Sequence, residues 1–456
     1  MRRTLLATAM GLAMLSGTAS AQDAHYWTQK YGTRALLLGG TVIGSAVDLS
    51  TSFYNPAGQA TLTNGGILTV KAFDFASFGL ASGAGPGVTF TNSRSSILPT
   101  FFGGTVPIHF LGSNALGYSI FTRQQAQFDL TGRTGSVVDV FPTVPGNEPF
   151  AAEGRLEQDL NDTWVGVTWS RKLGGRWAVG LSQYVSVRSQ SVRRGITGQS
   201  LASNGATANT TQISSFNYNQ WGTLTKIGVM AHFDKVDLGA TLTTPTLKFI
   251  FSGDALFDSF ITGQDFTGDG IPDNQFIASY QSSLSGRYKT PLSIGGGAAF
   301  RLKNNTLYAS GEWFNSIPSY SVLEVAPSVD QATGAAAPLQ VTTSAKSVFN
   351  FGGGVEHAFA ERTKGFLSYT TDKSSLPGQQ SQIAVSTWDI NLIQAGVSFA
   401  VKKWEFTLGG GYGWGSAPTQ NVPNFGNPSV DGGLITVSNG SDVKYQDIRI
   451  IFGFSI

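Results

Sequence analysis

The chain has 456 residues, of which 13% are Asp, Glu, Lys or Arg, against about 25% in ordinary soluble domains. Its net charge of +2 leaves no electrostatic footprint for nucleic acid or anionic lipid, and the absence of cysteine excludes disulfides, thiol catalysis and cysteine metal sites. Glycine reaches 57 residues and aromatics 12%, yet mean hydropathy is near zero and no apolar run after residue 21 approaches the roughly 20 residues of a spanning helix. That combination excludes a helical membrane protein and fits a transmembrane β-barrel, in which lipid-facing and lumen-facing residues alternate.

Arg2-Arg3, an apolar run from Leu5 to Leu15 and Ala19-Ser20-Ala21 form the pattern of a cleavable secretory signal over residues 1–21. The run is too short for a membrane anchor, the other reading of such a start. Residues 22–64 carry Tyr26, Trp27, Tyr31, Leu36-Leu37-Leu38 and Gly39-Gly40 without sustained alternation, so they read as a compact plug. Near its end, Asn55-Pro56-Ala57-Gly58 is turn chemistry: Pro fixes φ, Gly tolerates φ > 0, and the residue before Pro leaves the α region.

From Ile67 the pattern has period two. Trp404, Phe406, Leu408, Tyr412 and Trp414 share one parity, while Glu405, Thr407, Gly409, Gly411 and Gly413 share the other. Val236, Leu238, Ala240 and Leu242 alternate with Asp237, Gly239, Thr241 and Thr243, and Leu292, Ile294, Ala298 and Phe300 behave alike. The second face is small and polar, as a lumen lining should be. Short turns at Gly112-Ser113, Gly174-Gly175, Asp234-Lys235, Lys303-Asn304-Asn305, Glu361-Arg362 and Lys402-Lys403 alternate with seven longer stretches, near 81–96, 131–157, 193–213, 253–282, 323–341, 375–385 and 416–441. Thirteen connections give fourteen strands over 65–456, an even number that lets an antiparallel barrel close and abolish its edges. The last strand, Lys444 to Ile456, alternates Ile448, Ile450, Phe452 and Phe454 with Asp447, Arg449 and Gly453.

A plug, then Asn55-Pro56-Ala57, then fourteen strands resembles the FadL/TodX family of outer-membrane transporters of long-chain fatty acids and other hydrophobic compounds. Trp221 to Thr246, with Thr244-Pro245, and Thr290-Pro291-Leu292-Ser293-Ile294 look like that family's mid-barrel strands. The resemblance implies an all-β, 14-stranded antiparallel barrel with an N-terminal hatch in its lumen, carrying a hydrophobic ligand passively across the outer membrane as a monomer. It also implies that Asn55, Pro56 and Ala57 belong to the hatch, that outer loops form a hydrophobic groove, and that a kink in the third strand makes a lateral exit to membrane lipid.

Individual residues can be set against these expectations. Leu256, Phe257, Phe260 and Ile261 have the spacing of a one-faced helix, which either lines the ligand groove or packs on the barrel rim. Arg123, Gln124, Gln125 and Gln127 place polar groups on both faces of the third strand, Asn114 to Leu130, where lipid would penalise one face. The resulting expectation is that Asn55-Pro56-Ala57 sits against that strand. Asp265, Thr267, Asp269 and Asp273 have the spacing of a calcium loop without its final glutamate, so a structural Ca²⁺ competes with a plain Asp/Gly turn; no other cofactor is expected. The four histidines, His25, His109, His232 and His357, lie in no nucleophile-elbow or zinc motif, which argues against a barrel hydrolase. A general porin without a ligand site is the remaining alternative.

Overall fold

The computed structural model describes residues 24–62, 65–82, 84–85, 88–106, 114–266, 268–337, 340–377, 387–418, 422–438 and 442–456. The expected signal segment, the Gly112-Ser113 turn and Thr267 lie outside them. The alternating stretches become strands β1 (Gly66–Leu80), β2 (Phe90–Val106), β3 (Asn114–Val138), β4 (Glu148–Leu173), β5 (Trp177–Leu201) and β6 (Thr207–His232). Strand β7 runs Val236–Thr243 and Leu247–Gln264, β8 Asp273–Leu284 and Ser293–Leu302, β9 Asn305–Phe314 and Ile317–Leu323, and β10 Val341–Ala345 and Val348–Ala360. Then follow β11 (Thr363–Asp372), β12 (Asp389–Val401), β13 (Trp404–Ala417) and β14 (Val443–Ser455).

Each strand is antiparallel to its chain neighbour, and β14 returns to β1 through pairs such as Leu68↔Phe454, so fourteen strands close a ring. Closure leaves no edge to template aggregation and satisfies the backbone ladder within a bilayer. Outward positions carry exposed Trp177, Leu181, Leu238, Leu367, Leu408 and Ile448, while inward neighbours such as Ser182, Thr241 and Asp447 are buried.

Strands β3 to β6 have 25 or 26 residues each, whereas about 10 suffice to cross a bilayer. The stretches 131–157, 193–213 and 253–282, expected as loops, are therefore mostly strand: the connections shrink to residues 139–147, 202–206 and 265–272. Polar composition misled there because a sheet rising above the membrane faces water on its outer side. Inside that extension, loops fold into the mouth. Phe90, Phe150, Trp388, Phe425, Leu434 and Ile435 join one buried apolar cluster.

Residues 24–62 lie against the inner face of the ring and are nearly all buried. They form two single-turn helices, Arg34–Leu37 and Thr51–Tyr54, and a 3₁₀ turn, Pro56–Thr61. The inward glycines of the wall make room for this segment. A Cβ on Gly180 would come within 2.3 Å of the Pro56 carbonyl carbon, and one on Gly239 within 2.2 Å of the Ile43 oxygen. Gly354 and Gly409 approach Leu38 and Leu37 in the same way from the far side of the ring. Polar anchors surround the contact: Ser182 and Tyr184 both donate to the Ser52 carbonyl, Ser368 donates to that of Leu37, and Arg34 meets Glu356 at 2.7 Å.

Candidate functional site

The Asn55 side chain organises one end of the inner segment. Its Oδ1 accepts from the Ala57 N–H, capping the 3₁₀ turn, while its Nδ2 donates to the carbonyls of Ile43 and, on β6, Val229. The turn packs on Gly180 of β5, Gly228 of β6 and Gly239 of β7. It does not reach the Arg123–Gln127 stretch of β3, contrary to expectation. What reaches that stretch is the start of the segment: Arg123 Nη1 donates to the Tyr26 carbonyl at 2.6 Å and Gln124 Nε2 to that of His25 at 2.9 Å.

Arg123 is the extra residue of a β-bulge, for Thr122 pairs with Thr163 of β4 and Gln124 with Asp162. One inserted residue lets two consecutive side chains, Arg123 and Gln124, both turn inward and become buried, while Gln125 is half-buried and Gln127 exposed. On the other edge, β2 and β3 pair from Phe101↔Phe121 to Val106↔Leu116, and again at Thr91↔Thr131. Residues 92–100 and 122–130 pair outward to β1 and β4 but not with each other, and the register is the same on both sides. The third strand thus opens the wall without slipping.

Behind it lies a cavity of about 470 Å³, counting the part open to solvent, lined by Phe53, Trp164 and Phe314 and by Arg123, Lys226 and Glu312. Arg123 stands 5.5 Å from the Phe53 ring centre and 5.6 Å from that of Trp164. Lys226 Nζ lies 4.7 Å from the same ring centre of Phe53. Glu312 is already engaged, accepting from Trp27 Nε1 at 2.8 Å and Ser293 Oγ at 2.7 Å. Lys226 is 3% exposed, and the Glu312 carboxylate is its counter-charge across the cavity. Because Glu312 also holds Trp27 and Ser293, a buried cation pair of Lys226 and Arg123 shares one carboxylate, and an acidic group in the cavity would be favoured there. Neither Lys226 nor Glu312 stood out in the sequence, because each is one polar residue among many on an inward parity.

The outer candidates are arranged otherwise than their spacing suggested. Residues 247–264 form a strand held by β6 on one side and β8 on the other, so Leu256, Phe257, Phe260 and Ile261 do not share a helical face. Phe257 and Ile261 point inward and are buried, Phe257 beside Ile277 and Ala337; Phe260 is 46% exposed on the opposite side and Leu256 shares its parity. Two-sided strand pairing overrides a short local periodicity. Next to it, Asp265 accepts from the N–H groups of Gly268, Asp269 and Gly270, Asp273 from Phe266 and Asp269 from Ile271. These carboxylates face the turn's own donors, and a calcium ion would compete with all of them. Beside this turn, burial alone would raise the Asp330 carboxyl, but the N–H groups of Phe276 and Ala332 and the Thr333 hydroxyl hold it below its usual range.

No family model and no curated protein matches the chain. Among solved structures, a Pseudomonas aeruginosa FadL homologue aligns over 95% of this chain and 99% of its own, with a TM-score of 0.61 and 11% identity. The fold is that of the FadL-type channels. The Ralstonia pickettii toluene transporter TbuX covers 93% of this chain and 98% of its own at TM-score 0.55 and 11% identity. The Pseudomonas putida toluene transporter TodX covers 94% and 98% at TM-score 0.55 and 12% identity. At such identities the FadL-type likeness extends to the course of the chain and not to individual side chains, so the cavity of this barrel has to be read from its own residues.

Proposed function

We propose that the protein is a passive outer-membrane channel for hydrophobic small molecules, with residues 24–62 as the hatch that bars direct flow through the lumen. The observation that carries this reading is the cavity between hatch and wall, where the aromatic rings of Phe53, Trp164 and Phe314 meet the cations of Lys226 and Arg123. An open aqueous porin has no use for a lumen filled at one level by a packed segment and at another by an apolar cluster. The apolar mouth suits entry of a ligand poorly soluble in water, with Phe257 and Ile261 rather than Leu256 and Phe260 along its inner side. Lys226 and Arg123 favour an amphiphile with an acidic end, most simply a long-chain fatty acid, over a neutral hydrocarbon. The Asp265–Asp273 turn enters as a clamp of the outer loops.

The test is uptake by cells that lack any other such channel, given radiolabelled oleate or radiolabelled toluene. Oleate uptake is expected to exceed background, and Lys226→Met to weaken it about tenfold, corresponding to about 1.4 kcal/mol, while sparing toluene. Uptake of neither compound, with normal surface levels, sinks the channel reading. Equal loss for both sinks the acid preference alone. Limited proteolysis of the turn with Ca²⁺ and with chelator separates the two readings of residues 265–273: equal cleavage leaves the turn, calcium-dependent protection a metal site.

A further inference from the structure

The seventh strand repeats the construction of the third. Strand β7 has a one-residue bulge against β6 at Phe249, since Trp221 pairs with Ile250 and Gly222 with Lys248. On its other edge the ladder to β8 runs up to Thr243↔Ser293, stops, and resumes at Gly253↔Leu284 and Ala255↔Gln281 in essentially the same register. Residues 244–252 and 285–292 therefore form a second opening of nearly the same length. Both openings begin eight residues into their strands, at Thr122 of β3 and Thr244 of β7. At ~3.3 Å per residue and ~40° of tilt that is about 20 Å above the short turns, inside an apolar band roughly 25 Å tall.

A wall in lipid cannot leave backbone groups bare, and here side chains replace the missing ladder. The Thr246 N–H donates to Thr290 Oγ1 at 2.8 Å, whose hydroxyl in turn donates to Thr246 Oγ1 at 3.0 Å. Lys248 Nζ donates to the Gly286 carbonyl. From inside, the Gln220 amide accepts the Tyr288 N–H at 2.6 Å and donates to its carbonyl at 3.0 Å, as a strand partner would. Pro245 and Pro291 have no N–H to offer and flank the opening on its two sides. Ladder bonds part only when strands separate, whereas these closures part by turning a side chain.

The opening also lies between the cavity and an apolar outer surface. On the inner side the cavity is lined by Thr244, Thr290 and Pro291 as well as by Arg123. On the outer side the bulge leaves Leu247, Phe249 and Ile250 exposed together, at 71%, 55% and 53%. We propose that this opening is a second lateral port, through which a hydrophobic molecule passes between the cavity and the membrane independently of the third strand. The proposal rests on the channel reading given above.

The chain has no cysteine, so a disulfide between Thr246→Cys and Thr290→Cys can close the port under oxidation and release it on reduction. A second pair, Thr100→Cys with Thr122→Cys, closes the third-strand opening at its lower end. Radiolabelled oleate uptake is measured in cells for each pair and for both together, with surface levels checked. The expected result is a several-fold, reductant-reversible loss for Thr246–Thr290 alone and near-complete loss for both locks. Full uptake with the Thr246–Thr290 lock in place, whatever the other lock does, overturns the port. Should that disulfide not form, Thr290→Trp fills the opening from within; normal uptake by this variant likewise overturns it. If the unmutated protein takes up no oleate and no toluene, the channel reading falls first and the port with it.

Discussion

The two openings of the barrel wall are alike in length, height and flanking bulge, and they differ in what fills them. The opening at β3 is stopped by a separate piece of chain, with Arg123 and Gln124 holding the carbonyls of Tyr26 and His25. The opening at β7 is closed by the wall itself, through Thr246, Thr290, Lys248 and Gln220. A stopper made of another segment can leave as a unit, and its removal exposes the whole cavity. A closure of single side chains opens narrowly and locally. The same break in a ladder can thus serve as a hatch seat or as a side-chain gate, according to which groups satisfy the freed backbone.

The comparison breaks first at Arg123. Arg123→Ala is expected to weaken docking of residues 24–31 by about 2 kcal/mol, because the buried charge-assisted hydrogen bond to the Tyr26 carbonyl is lost. Protease sensitivity of that stretch in the folded barrel should rise at least tenfold, with the barrel's own unfolding temperature unchanged. A lowered unfolding temperature would mean that the stopper is part of the wall after all.

Gln220→Ala should do the reverse. It strips both hydrogen bonds from the Tyr288 backbone, costing about 2 kcal/mol of barrel stability, and leaves the N-terminal segment as protected as before. Thermal unfolding followed by gel mobility reads the first effect and limited proteolysis the second. Thr246→Val is a milder version on the same side, removing one hydroxyl partner while keeping shape and volume. About 1 kcal/mol of barrel stability and a modest rise in uptake are expected. A variant that unfolds more easily without passing more probe would separate stability from gating.

The smallest effect is one of pH at the mouth, away from both openings. Asp330 has a folded pKa below its unfolded one, so its stabilisation is complete above the unfolded value and is lost as pH falls through the folded one. Below about pH 4 the loop carrying residues 328–337 should loosen from Phe276, while Arg123 and Gln220 variants keep the protection pattern they show at neutral pH. Hydrogen exchange of the Phe276 and Ala332 amides measures it.

Residue alternation made the barrel legible. The inward glycines were readable as a small face, but not as the seat of a chain segment, since a missing Cβ records a close approach without naming what approaches. The placement of Asn55-Pro56-Ala57 on β5–β7 depends on how the chain enters the lumen, which a local turn motif does not encode. The polar run at Arg123 coincides with a β-bulge and with the interrupted pairing of β2 and β3. Its counterpart at β7 carried a different signal, the two Thr-Pro pairs at 244–245 and 290–291, within stretches that otherwise read as ordinary strand.

By itself the sequence determined the strand class, the even count and the closing C-terminal strand, because a period of two is a local property that every strand carries within itself. Only the tertiary structure decided where the ring opens, which side chains close it and that Lys226 stands over Phe53 at the edge of the cavity. Those features arise where strands distant along the chain meet or part, and a register between neighbours exists only once both are in place.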